Sequence, residues 1–100
     1  MSSNLNLSQA VVLYLGFGKS NVPLRDETSV VQKWGIPAGT DLVERVRVVA
    51  DHANQLKIDW SMTDLPGAER VVHEAMSRRY PELSNEALDA IAWKFTFDWR

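Results

Sequence analysis

Gly16, Gly18, Lys19 and Ser20 reproduce the tail of a phosphate-binding loop, in which glycine amides cradle phosphates while the lysine and hydroxyl reach the terminal phosphate and its magnesium. The full pattern requires a further glycine at position 13, where this chain has leucine. It also requires a strand before the loop and a helix starting at the lysine. Here the residues up to Leu15 read as helix, and Pro23 follows the lysine closely. The glycines are therefore read as helix-ending residues, and no nucleotide or other cofactor is expected.

His52 and His73 are the only histidines, and neither has a second ligand at a metal-binding spacing. His73-Glu74 lacks the histidine four residues further on that a zinc helix needs, so no metal is expected. Asp51 adjoins His52, but neighbours in a helix point apart, which removes the obvious orienting carboxylate. Both histidines are read as solvated helical residues. Of the thirteen carboxylates, Asp59 and Asp98 alone sit between large apolar residues. They carry the alternative of a small enzyme with a carboxylate-based site, although turn-forming or solvent-facing roles account for them as well. No catalytic residue is assigned.

Residues 24–57 resemble in outline a helix-turn-helix with Gly35 at the turn, which gives a second alternative, a DNA-binding regulator. Its recognition helix would present Asp41, Glu44 and Asp51 beside Arg45 and Arg47, and those carboxylates oppose phosphate. A net charge of −2 and a pI near 5.6 also disfavour nucleic acid as a partner. Arg70, Arg78, Arg79 and Lys94 form at most a small, dispersed basic set.

These residues are carried by amphipathic helices. Ser8 reads as the N-cap of a first helix running to Gly16, with residues 1–6 disordered before it. A second helix spans about Leu24 to Trp34 and stops at Gly35. Thr40 caps a third, which reaches about Lys57 with Leu42, Val46, Val49, Ala53 and Leu56 in one apolar stripe. Asp64 caps a fourth, with Pro66 in its first turn and Pro81 after its end. Ser84 caps the fifth. One hundred residues make one domain, and 45% hydrophobic residues with 24% charged are ordinary for a globular chain.

The apolar run Ala10 to Leu15 lacks the basic flank of a secretory signal and the length of a membrane span. With no cysteine in the chain, the expectation is a cytoplasmic protein making no membrane contact.

From Trp93 to Trp99 aromatic and polar residues alternate strictly, which fits a short strand as well as a helix. The helix is preferred because nothing between Asn85 and Trp93 breaks it. The fold class is accordingly all-α, a bundle of about five helices, with α+β carrying a C-terminal strand at residues 93–99 as the alternative. In a helix, Leu88, Ile91, Ala92, Phe95 and Trp99 share one face, while Trp93 and Phe97 leave from nearly the opposite one. Surplus aromatic surface of this kind is typical of interface cores. The expected function is protein–protein interaction without catalysis, through a patch of Trp93, Phe97, Arg100 and Trp60. The expected partner is another protein or a second copy of the chain, as in a homodimer.

Overall fold

Capping residues and prolines divide the chain into five helical segments, each with apolar surface to bury. The computed structural model describes residues 2–59 and 61–98, with side chains from Asn6 onward. The elements are α1 (Ser2–Leu15), α2 (Glu27–Trp34), α3 (Ala38–Asn54), α4 (Leu65–Arg79) and α5 (Asn85–Asp98), and no strand occurs among the described residues. The fold is all-α. The strand alternative at 93–99 is not realised, because residues 93–98 complete α5 without interruption; Trp99 lies outside the described residues.

The central element is α5. It packs against α4 and α1 and touches α3. Leu88, Ile91, Ala92 and Phe95 are buried, as are Ala87 and Ala90 on other sides of the same helix. Small residues there let neighbouring helices approach closely, so a helix with two apolar faces is satisfied by being sandwiched. The core it completes contains Val11 and Leu15 of α1, Val30 of α2, Val46 of α3, and Val72 and Met76 of α4. The α3 stripe behaves as its spacing requires: Leu42, Val46, Val49 and Ala53 are all buried.

The helix starts show which polar groups found local partners. Asp64 accepts the Gly67 amide at 2.9 Å and the Ser84 hydroxyl accepts the Ala87 amide at 3.1 Å, so both act as N-caps. Ser8 does not. It lies inside α1, is buried, and its hydroxyl accepts the amide of Ser84 at 2.9 Å, tying α1 to the start of α5. α2 starts at Glu27 and not near Leu24, because the Leu24 and Asp26 amides donate to the carbonyls of Leu15 and Tyr14, both at 2.9 Å. Asp26 then becomes the cap. α3 starts at Ala38, ahead of Thr40, with Pro37 in the cap position and no side-chain cap bond. It ends at Asn54, short of Lys57.

No helix among the described residues is long and apolar enough to cross a membrane.

Candidate functional site

Among the described residues an open groove of about 840 Å³ lies between α4, α5 and the residues that follow α1. Each wall has a local cause. α1 ends in a Schellman turn: the Gly16 amide donates to Leu13 and the Phe17 amide to Val12, with Gly16 at φ 71°. That turn projects Phe17 onto α5, where its ring meets the Trp93 indole with centroids 5.5 Å apart and planes tilted by 54°. The glycines that imitate a phosphate-binding loop are thus a helix stop, and their product is one aromatic wall of the groove.

α4 supplies the opposite wall. Glu69 and His73 lie one turn apart, with Arg70 and Glu74 following the same spacing. α5 returns Asp89 and Trp93, again one turn apart. The His73 Nε2 is 3.3 Å from the Asp89 carboxylate, a contact between helices. Helical spacing alone pairs His73 with Glu69, whereas the fold pairs it with Asp89. The signal available in the sequence was indirect: whatever sets Trp93 against α4 also brings Asp89, four residues before it.

The second histidine also departs from a solvated role. His52, near the end of α3, stacks on Tyr80 with centroids 5.8 Å apart, and its Nδ1 meets the Tyr80 hydroxyl. Arg79 lies along the same ring, its Nε donating to Nδ1 at 3.1 Å. This cluster joins the ends of α3 and α4.

Of the expected patch, Trp93 and Phe97 are both half-buried on α5, and Trp93 lines the groove. Trp60 and Arg100 lie outside the described residues. Asp59 is exposed and closes a turn by accepting the Ser61 amide at 3.1 Å, and Asp98 accepts Lys94 at 2.7 Å on the surface. Neither carboxylate is enclosed. The dispersed bases do not converge either: Arg78 pairs with Glu74, Arg79 with His52 and Lys94 with Asp98.

Chemically, the groove offers an imidazole–carboxylate pair, two aromatic rings and further charges. Its described lining includes no serine, threonine, tyrosine or cysteine to serve as a nucleophile beside His73. Among the described residues no group of three or more histidine, cysteine, aspartate or glutamate side chains could hold a metal. The arrangement is suited to binding through aromatic contact and charge.

The corner between α2 and α3 is closely packed. A Cβ on Gly39 would lie 2.7 Å from the Val31 Cα. On the outer face of α3, Arg47 pairs with Glu27 and with Glu44, which reduces the positive charge that face could offer a phosphate backbone. The Asp26 carboxyl at the start of α2 is held below the usual aspartate value, first by the Ser29 hydroxyl donating to it at 2.6 Å, then by the Ser29 amide.

No family profile, curated protein or solved structure matches the chain.

Proposed function

We propose that the chain is a protein-binding module with no catalytic role, which docks a segment of its partner in the α4–α5 groove with Trp93 as anchor. One observation carries this reading. Trp93 is only half-buried against Phe17 and lines a large open groove, although seven other residues of α5 are buried. Tryptophan supplies a large rigid contact area and dominates the energetics of many interfaces. Phe97, one turn on, extends the aromatic surface of α5. The cysteine-free composition fits a cytoplasmic setting for such a module.

The partner is another protein or a second copy of the chain. Selection of displayed random peptides on the wild-type chain, with counter-selection on Trp93→Ala, tests the docking surface. Recovery of a shared motif that binds only when Trp93 is present supports the proposal. Peptides that bind both proteins equally refute the role given to Trp93. Sedimentation of the chain over a wide concentration range addresses the second copy: association lost in Trp93→Ala identifies a homodimer through this groove.

A further inference from the structure

We infer that the segment docked in the α4–α5 groove presents a cationic side chain, lysine or arginine, an inference that rests on the docking reading above. The charge of the groove carries it. Glu69, Glu74 and Asp89 outnumber the one guanidinium of the lining, that of Arg70, and Arg78 reaches in to pair with Glu74 alone.

The carboxylates are not equally occupied. Glu74 holds Arg78, and Asp89 faces His73. Among the described residues no cation reaches Glu69. Its carboxylate instead lies 3.4 Å from the hydroxyl of Thr96, a fully buried residue whose single hydroxyl proton has a nearer acceptor in the Ala92 carbonyl at 3.1 Å. Thr96 follows Trp93 by three residues, so this contact places Glu69 beside the turn of α5 that bears the indole. Among the described residues Glu69 is thus a carboxylate without a cation, in a groove that two aromatic rings also line, and that combination recognises an ammonium or guanidinium group. The ring quadrupoles attract the cation and the carboxylate neutralises it.

An uncharged apolar segment fits less well, because it would cover the three carboxylates of the groove and leave Glu69 without a counter-charge. An anionic segment would meet those carboxylates while gaining only Arg70. The occupant that gives Glu69 a counter-charge and the rings a cation is a basic one.

The test is an amide and indole nuclear magnetic resonance titration of the full chain with short, end-blocked peptides that carry lysine, glutamine, glutamate or leucine at one position. The lysine peptide is expected to shift the Trp93 indole and the Glu69 and Asp89 amides saturably, and Glu69→Gln to weaken that binding about fivefold. The dispersion of the Glu69→Gln spectrum verifies that this exposed substitution leaves the fold intact. Equal groove shifts from the glutamine and lysine peptides would overturn the cation inference while leaving the docking surface standing. Shifts of equal size at Glu82 and Glu86, outside the groove, would reduce the effect to general charge attraction and overturn it too. Trp93-dependent displayed peptides that lack basic residues count against the inference alone. No groove shift with any peptide would overturn both readings.

Discussion

Gly39→Ala sets two physical arguments against each other, and its sign decides between them. On helix propensity alone the substitution is favourable, since glycine is less helical than alanine by up to about 1 kcal/mol, and less than that near a helix start. Gly39 is the second residue of α3 and its φ is not positive, so alanine meets no backbone obstacle of its own. Packing argues the other way. The added methyl would sit 2.7 Å from the Val31 Cα and 3.0 Å from the Val30 carbonyl oxygen. Both atoms belong to the backbone of α2 and cannot rotate aside. Relief requires α2 to lift away from α3, which uncovers Val30, now fully buried. Overpacking of this kind costs about 1–3 kcal/mol, which exceeds the propensity gain. A net loss of about 1–2 kcal/mol lowers the Tm of a domain this size by roughly 5–15 °C. Urea unfolding followed by circular dichroism reads the first figure and a thermal scan the second. A Gly39→Ala protein as stable as the wild type, or more stable, would refute the close α2–α3 contact.

Asp64→Ala removes the acceptor of the Gly67 amide and should destabilise by about 1 kcal/mol in the same urea assay, with Asp64→Asn recovering most of the loss. Phe95→Ala empties a site in the middle of the core and should cost about 3–5 kcal/mol, a large share of the total stability, seen as a collapse of the unfolding midpoint. The lowered Asp26 carboxyl contributes stability that is present above its unfolded value of 3.8 and is lost as pH falls through the folded one. Wild type should therefore lose more stability than Asp26→Asn on acidification through that window, measured by urea unfolding at stepped pH. Thr96→Val exchanges a buried hydroxyl for a methyl while the Ala92 carbonyl keeps its helical amide donor, so stability should change by less than about 1 kcal/mol.

What could be read from the sequence was decided by local chemistry. Asp64 with Pro66, Ser84 before its helix, and Gly35 after another act through neighbours in the chain, and each does what its type and place require. The continuity of α5 was legible for the same reason, since no residue between Asn85 and Asp98 interrupts a helix. Long-range partners were not. A serine hydroxyl accepts an amide from its own helix or from another with equal ease, and nothing near Ser8 announces that its donor is Ser84. Thr40 is a competent cap that goes unused because α3 already begins at Ala38, two residues before it. The groove is mixed in this respect. The surplus aromatic face of α5 pointed to Trp93, but Phe17, Glu69, His73 and Asp89 reach it from three separate elements. Pairing His73 along its own helix hid the partner across the interface.

The placement of α5 has a consequence for how the protein is made. Synthesis yields α1 before the other four helices, and α1 is strongly apolar: Ala10, Val11, Tyr14 and Leu15 are all buried in the finished fold. Much of what covers them is α5, the last of these five helices to emerge. Until it emerges, a nascent chain holding α1 to α4 displays an uncovered greasy surface that is open to chaperones, proteases and other nascent chains. Closure then comes late, in a single docking event, and chains interrupted before residue 85 should be cleared by degradation and not accumulate as smaller folded versions.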